Sequence, residues 1–239
     1  MEPLVRVTGL TKSYREIVAL HDVSLSIRQG EVLGLIGPNG AGKTTLFECM
    51  AGVLPADSGR VSIGGQDIAT ADRGRHLFYL PDAIAPWPSE TVGWALDFTI
   101  GFFGGLPARK QEVVSRLALE PLMTRPIGAL SKGQRKRVVL ALGLLTPQPV
   151  LLADEPFEGL DLRQTRDVGE ALREHAADGR TLFLSIHQIT DAARACDRFA
   201  LLSGGRVRGE GTFDELASLA GATAARTPAD LEDVVLALT

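Results

Sequence analysis

The sequence predicts an α/β fold in which helices cover both faces of a largely parallel sheet. From residue 130 onward, short apolar segments typical of buried strands alternate with helical segments. A glycine-rich loop lies between an apolar strand at residues 31–36 and a helix that starts near residue 45. Apolar and polar residues alternate over the first thirty residues, which predicts an antiparallel sheet before that loop.

Composition limits the possible functions. The chain has 239 residues, of which 45% are hydrophobic, enough for one substantial core or a core with a small subdomain. Its net charge of −4 gives no indication of nucleic acid, and we predict no such partner. Cys49 and Cys196 lack metal-binding spacing, so we interpret both as buried thiols in a reducing cytoplasm. Residues 92–103 are shorter than the roughly 20 apolar residues of a membrane span, so we expect a soluble chain.

The other elements follow from local patterns. Residues 59–65 are typical of a strand and turn, and residues 76–80 of another strand. Prolines interrupt residues 81–126, whose pattern is otherwise helical and predicts an inserted helical subdomain. We predict its helices at residues 90–104 and 107–119, later helices at 131–145, 161–178 and 189–196, and later strands at 150–154, 181–186 and 199–202.

We therefore predict a single domain over residues 1–239. Its core comprises residues 1–82 and 146–239 and includes the antiparallel part, whereas the inserted helical subdomain comprises about residues 83–145. Residues 220–239 are predicted to form a linker of small residues and a short helix.

The glycine-rich loop fits the phosphate-binding pattern G-x-x-x-x-G-K-[ST]. Its residues are Gly37, Pro38, Asn39, Gly40, Ala41, Gly42, Lys43, Thr44 and Thr45. Glycines let the backbone wrap round a polyphosphate, and the N–H groups of a helix N-terminus attract anions. Lys43 can reach the terminal phosphates, and the Thr44 hydroxyl can ligate Mg²⁺. An ordinary glycine-rich turn needs no flanking strand and helix, so the loop predicts binding of a nucleoside triphosphate.

Two acidic residues and a histidine follow predicted strands. Asp154 and Glu155 come after four apolar residues, where Asp154 could hold Mg²⁺ and Glu155 could polarise a water for attack on the γ-phosphate. The alternative for this pair is a solvated turn or a partner of a helix N-terminus. His187 ends another strand, at the edge where ligands bind parallel sheets, and could orient the attacking water; a lone histidine is otherwise often structural.

The segment that starts at Ser131 combines a helix start with concentrated positive charge. Ser131 is a good N-cap for the helix that follows. The basic residues Lys132, Arg135, Lys136 and Arg137 crowd its first two turns, where the helix dipole disfavours cations. This pattern predicts an anion-binding helix end. A solvated basic patch is the alternative.

Together these motifs resemble the nucleotide-binding subunit of an ATP-binding-cassette (ABC) transporter, over essentially the whole chain. The resemblance implies a P-loop NTPase fold with ATP and Mg²⁺ as ligands. Residues 37–45 match the Walker A loop, 151–155 the Walker B strand, 130–134 the LSGGQ motif, 159–161 the D-loop and His187 the switch histidine. Tyr14 falls where the family places an aromatic ring against adenine; without that context it would be a half-buried strand tyrosine.

The resemblance also implies partners. Two cassettes of the family pair head to tail, here most simply as a homodimer, with each ATP between one Walker A loop and the other subunit's LSGGQ helix. The residues that would contact the partner's ATP are Ser131, Lys132, Gly133, Gln134 and Asp161. ATP binding then closes the dimer, and hydrolysis reopens it.

Two residues depart from the family pattern. Lys132 replaces the first glycine of LSGGQ, and we expect it to add positive charge near the partner's phosphates. Asp82 stands where the family has a glutamine that touches Mg²⁺ and water and relays to the membrane subunit. Aspartate is shorter and anionic, and we expect it to reach the metal through water.

The resemblance implies a cytoplasmic protein, peripheral on the inner face of the cell membrane, with a separate transmembrane permease subunit. The segment at residues 231–239 resembles the C-terminal segments of cassettes in bacterial exporters of drugs, antibiotics, lipids or polysaccharides. The aromatic stretch at residues 87–103 is either the docking surface for the permease or part of an apolar core. The alternatives to a transport ATPase are a soluble assembly or regulatory ATPase and a binding module without hydrolysis, against which Glu155 and His187 argue.

Overall fold

The computed structural model describes residues 3–82, 84, 86–187 and 195–219. Most of the predicted helix at residues 189–196 lies outside the described residues. The predicted C-terminal linker and helix at residues 220–239 lie wholly outside them.

A six-stranded mixed sheet forms the centre of the fold. Its strands are β3 Val32–Ile36, β6 Leu77–Leu80, β7 Val150–Ala153, β8 Thr181–Ile186, β9 Arg198–Ser203 and β10 Arg206–Gly211. Their order in the sheet is β10-β9-β3-β8-β7-β6. The strands from β9 to β6 run parallel, and β10 pairs antiparallel with β9 at one edge. The predicted α/β fold is confirmed.

A second sheet has four antiparallel strands, β1 Val5–Tyr14, β2 Ile17–Ile27, β4 Ser58–Ile63 and β5 Gln66–Asp67. Their order in the sheet is β2-β1-β4-β5. The first helix, α1 (Lys43–Ala51), packs in the layer between the two sheets, where the Phe47 ring lies 4.8 Å from that of Phe183. The predicted antiparallel sheet is therefore present.

The other face of the central sheet carries helices. These are α2 Val92–Phe103, α3 Arg109–Arg116, α4 Lys132–Leu144 and α5 Leu162–Ala177, with the short α6 Phe213–Leu219 near the end of the described chain. Successive residues of β7 point into different cores: Leu152 faces α1, whereas Leu151 faces the helices. This period of two explains why the strand is apolar throughout.

The elements lie close to the positions predicted from the sequence. Strand β8 has the predicted bounds, and α1 begins at Lys43, two residues before its predicted start. Both cysteines are free; Cys49 is buried and Cys196 partly buried. Within the described ranges, no helix has the length and apolar character needed to cross a bilayer.

Candidate nucleotide-binding site

The glycine-rich loop follows β3 and passes very close to neighbouring backbone. A Cβ on Gly37 would lie 2.2 Å from the carbonyl oxygen of Leu202. Gly42 has a φ of 104°, and a Cβ there would lie 2.6 Å from the carbonyl oxygen of Ala19. Only glycine fits both positions, because one lacks space and the other also needs a left-handed backbone.

Helix α1 starts in this loop without a side-chain cap. Its N-cap residue, Gly42, has no side chain to accept the first N–H groups, whereas α4 and α5 both begin with a capping box. Uncapped N–H groups at a helix N-terminus suit an anion. The start of α1 therefore fits a phosphate group.

Lys43 is buried at this helix start, with 6% of its surface exposed. Its Nζ donates hydrogen bonds to the carbonyl oxygens of Gly37, at 2.7 Å, and Pro38, at 3.3 Å. Burial lowers the pKa of Lys43, and the charges of Glu155 and Asp154 partly oppose that effect. The ammonium group is thus held inside the loop, where a phosphate could replace the neutral carbonyl partners.

Asp154 accepts hydrogen bonds from three hydroxyl groups. Thr44 Oγ1 donates to its Oδ2 at 2.8 Å, Ser185 Oγ to its Oδ1 at 2.5 Å, and Tyr79 Oη to its Oδ2 at 3.5 Å. Burial, followed by the Asp154 charge, raises the pKa of Tyr79, so this phenol stays a donor. Mg²⁺ commonly takes one or two protein oxygens and completes its shell with phosphates and waters. The hydroxyl of Thr44 and the carboxylate of Asp154 fit that requirement.

Ser185 and Tyr79 were not identified from the sequence as site residues. Ser185 is a hydroxyl-bearing residue inside the buried strand β8, and this was the available signal. Its Oγ also accepts a hydrogen bond from the backbone N–H of Glu155, at 2.8 Å. Ser185 thereby ties Asp154 and Glu155 to the neighbouring strand.

Glu155 has a left-handed backbone, with a φ of 47°. That region is disfavoured for residues with a Cβ and is often occupied at functional sites. Its N–H is held by Ser185, and its carbonyl oxygen accepts a hydrogen bond from Lys136 Nζ at 3.0 Å. Side chains therefore bond the peptide groups on both sides of the Glu155 Cα, and the backbone N–H of Glu158 also donates to the Glu155 carbonyl oxygen, at 3.1 Å.

Glu155 and His187 line the same cavity, which has a volume of about 850 Å³. Asn39 of the glycine-rich loop and Asp161 line it as well. His187 lies directly after β8 and is exposed. The structure therefore brings together the predicted base, the predicted switch histidine and the phosphate loop. Of the described residues, Ser131, Lys132, Gly133 and Gln134 do not line this cavity.

The LSGGQ-like segment starts α4 with the predicted N-cap. Gln134 N–H donates to Ser131 Oγ at 3.3 Å, and Ser131 N–H donates to Gln134 Oε1 at 3.1 Å, forming a capping box. A Cβ on Gly133 would lie 2.6 Å from Gln164 Oε1, so α4 begins against the start of α5. Asp161 caps α5, accepting from Gln164 N–H at 2.8 Å.

Both residues that depart from the family pattern form ion pairs within the chain. Lys132 Nζ lies 2.6 Å from Glu158 Oε1, so its charge is already paired. Asp82 Oδ1 lies 2.5 Å from Lys136 Nζ. The sequence identified Lys136 only as part of a basic helix end, whereas its side chain is only 9% exposed and pairs with Asp82.

Tyr14 lies at the end of β1 with 44% of its surface exposed. Lys12 Nζ lies 5.8 Å from the centre of its ring, within the range of a cation–π contact. Tyr14 is therefore partly exposed, and Lys12 lies over one face of its ring.

Comparisons with known proteins agree with this geometry. Residues 20–158 match the protein family described as ABC transporter. The chain is 35% identical over 221 residues to the Nod factor export ATP-binding protein I of Ralstonia nicotianae, covering 90% of this chain and 68% of that protein. It is 32% identical to the lipopolysaccharide export system ATP-binding protein LptB of Acidithiobacillus ferridurans, covering 90% and 93%.

An importer component is also similar: the sulfate/thiosulfate import ATP-binding protein CysA of Xanthomonas campestris is 36% identical, covering 85% of this chain and 62% of that protein. The chain thus spans less than two thirds of the length of that relative. A solved structure described as the ATP binding subunit of an ABC transporter superposes with a TM-score of 0.87 at 28% identity, covering 98% and 99% of the two chains. The chain therefore belongs to the ABC transporter family, as an ATP-binding ATPase of that family.

Proposed function

We propose that the chain binds Mg²⁺-ATP and hydrolyses it to power a membrane exporter. The observation that carries this proposal is the chain of hydrogen bonds from Thr44 through Asp154 and Ser185 to Glu155. It connects the residue beside the phosphate loop with the carboxylate proposed to activate water. Glu155 and His187, which line one cavity, argue against a module that only binds nucleotide.

Each residue has a distinct role in the proposed reaction. Lys43 exchanges its bonds to the Gly37 and Pro38 carbonyls for the terminal phosphates of ATP. Glu155 accepts a proton from the attacking water, and His187, which lines the same cavity, bonds the γ-phosphate. Tyr14 stacks on the adenine.

Thr44 and Asp154 are the proposed magnesium ligands. When bound, Mg²⁺ would supply positive charge that stabilises the negative charge on the phosphates. The Thr44 hydroxyl donates its hydrogen to Asp154, which leaves the lone pairs of Oγ1 free for a metal ion. Ser185 and Tyr79 hold the Asp154 carboxylate in place, because both donate to it.

A second copy of the chain is the proposed partner for hydrolysis. The N-terminus of α4 does not line the cavity that Glu155 lines, within the described residues. Ser131, Gly133 and Gln134 would therefore act on ATP held by another subunit. Asp161, which caps α5 and lines the cavity, would lie at the same interface.

A transmembrane permease is the second proposed partner, with the chain on the cytoplasmic face of the membrane. An aromatic face on and beside α2 is proposed as the docking surface, formed by Trp87, Trp94, Phe98, Phe102 and Phe103. The rings of Trp94 and Phe98 stack at 5.1 Å and those of Phe98 and Phe102 at 5.7 Å. Phe102 is 71% exposed, which is costly unless a partner covers it.

Export is the proposed direction, because two similar proteins carry export in their names: one concerns Nod factor and the other lipopolysaccharide. The proposed cargo class is a drug, antibiotic, lipid or polysaccharide. The similar sulfate/thiosulfate protein is an import component, so transport assays should measure both directions. The second candidate, an assembly or regulatory ATPase without cargo, would lack a membrane partner.

The substitution Glu155→Gln tests the hydrolytic function. The variant should bind ATP, lose nearly all turnover and accumulate as ATP-bound dimers, because the amide keeps the shape but takes no proton. Turnover, ATP affinity and dimer mass are measured together. Hydrolysis at the wild-type rate would remove Glu155 from the role of base.

Co-purification from native membranes tests the partner. The chain should retain a multi-span membrane protein, and Phe102→Ser should release it without changing ATP affinity. Val53→Ser is the matched control, because Val53 is 68% exposed but lies outside the aromatic face. Retention by no membrane protein would favour the assembly or regulatory ATPase.

A further inference from the structure

Lys136 is a buried cation on α4 that contacts both Asp82 and Glu155. It lies in the second turn of α4, and its Nζ contacts Asp82 Oδ1 at 2.5 Å and the Glu155 carbonyl oxygen at 3.0 Å. Only 9% of its side chain is exposed. A lysine this buried requires a counter-ion, and among the described residues Asp82 is its ion-pair partner.

The contact with Glu155 falls on a strained backbone. Glu155 has a φ of 47°, a region that glycine favours and residues with a Cβ avoid. Such strain persists only where the surroundings hold it. Two side-chain hydrogen bonds do so here: Ser185 accepts from the N–H of Glu155, and Lys136 donates to its carbonyl oxygen.

The identity of Asp82 fits this arrangement. A neutral side chain at position 82 would remove the carboxylate that pairs with the buried ammonium group. The neighbouring pair of Lys132 and Glu158, at 2.6 Å, borders the same cavity of about 260 Å³ as Asp82 and Lys136. The two residues that depart from the LSGGQ and glutamine patterns are thus both used in ion pairs around this cavity.

We propose that Lys136, held by Asp82, is a positioning residue that fixes the backbone of Glu155 and so aims its carboxylate at the attacking water. Asp82 acts as the counter-ion of Lys136 and not as a contact of Mg²⁺. The inference rests on the proposed hydrolytic role of Glu155. Neither Lys136 nor Asp82 touches the nucleotide in this arrangement; both act through Glu155.

Steady-state ATPase assays of the full-length chain test this inference with Lys136→Met, Asp82→Asn and the double variant. Lys136→Met should lower kcat by about tenfold to a hundredfold, because a small misplacement of a catalytic group has effects of that size. ATP KM and ATP affinity should stay within about twofold, since the phosphate loop is untouched. The double variant should be no slower than Lys136→Met, because both changes break one unit.

A magnesium titration separates positioning from metal binding. The Mg²⁺ concentration for half-maximal activity should be unchanged in Asp82→Asn. An increase in that concentration, with kcat recovered at high Mg²⁺, would overturn the inference and make Asp82 a metal contact. Wild-type kcat in Lys136→Met, or a parallel loss of ATP affinity, would overturn it as well.

Further variants control for folding and for the underlying function. Lys136→Arg keeps a charged donor and should be faster than Lys136→Met. Arg166→Met breaks the exposed pair with Glu170 on α5 and should behave as wild type. If Lys136→Met does not fold, the same measurements on Asp82→Asn test the inference. A wild-type rate no higher than that of Glu155→Gln would refute the proposed hydrolysis itself, a result distinct from a failure of Lys136 alone.

Discussion

The hydroxyl of Thr44 donates a hydrogen bond to Oδ2 of Asp154 at 2.8 Å, although the two residues are 110 positions apart in the chain. Strands β3 and β7, which precede them, both pair with β8 and run parallel. Because their carboxyl ends meet at one edge of the sheet, the residues that follow come together there. This contact is the direct link between the phosphate loop and the acidic pair.

Ser185→Ala should reduce turnover more than it reduces ATP binding. Its Oγ bonds both Asp154 and the N–H of Glu155, so removal frees the metal ligand and leaves a buried N–H unpaired. We expect kcat to fall by about tenfold and the free energy of unfolding by about 1–3 kcal/mol. ATPase assays and urea unfolding measure the two effects.

Thr181→Val is the matched control for Ser185→Ala. Thr181 lies at the other end of β8, is fully buried, and accepts a hydrogen bond from Gly30 N–H at 2.9 Å. Loss of this hydrogen bond should lower the free energy of unfolding about as much as Ser185→Ala does, but it should leave kcat unchanged. Equal losses of kcat in both variants would make the Ser185 effect a general consequence of weakening the strand.

The parts of the site that were predictable depend on local sequence. Lys43 and Asp154 each follow a strand of apolar residues in a short pattern, so a single window of sequence identified them. The pair of Asp82 and Lys136 joins residues 54 positions apart, and no local pattern encodes it.

Strand β10 was missed for a different reason: its sequence RVRGEG has one large apolar residue, Val207, and the strand pairs at a sheet edge.

Lys43→Ala should abolish tight ATP binding while preserving the fold. The ammonium group is buried and bonded only to two carbonyl oxygens, so its removal relieves a desolvation cost and breaks no ion pair among the described residues. We expect at least about a hundredfold loss of ATP affinity, because a buried charge-assisted contact to phosphate is lost. Calorimetric titration and thermal unfolding test this. Unchanged affinity would contradict the assignment of the phosphate loop.

Ser131→Ala should impair hydrolysis by the dimer and leave ATP binding to the monomer intact. Ser131 also caps α4, so alanine should cost about 1 kcal/mol of stability independently of any contact with ATP. Ser131→Asp separates the two effects, because aspartate caps a helix well but repels phosphate. This variant should regain stability and remain inactive. Recovery of activity by aspartate would show that Ser131 acts through capping alone.

His175 should make the protein less stable in mild acid. Burial, reinforced by the charge of Arg180, lowers the pKa of His175 to about 3. An unfolded chain protonates this histidine below about pH 6.5, whereas the folded protein does so only near its lowered pKa. Between those values only the unfolded state binds the proton, so stability present above pH 6.5 is lost as pH falls, by about 1.4 kcal/mol per pH unit.

The substitution His175→Gln removes this proton-binding site from both states. Between pH 6.5 and pH 5 the free energy of unfolding of the wild type should fall by about 2 kcal/mol relative to that of the variant, because only the unfolded wild type binds the extra proton over that interval. Urea unfolding of both proteins at pH 7.5, 6.5, 5.75 and 5 provides the comparison. At pH 7.5 the variant should be less stable than the wild type, since glutamine packs poorly at a site only 1% exposed. The difference in free energy of unfolding between the two proteins should become smaller as the pH falls. A constant gap over the series would mean that His175 gains its proton equally in the folded protein.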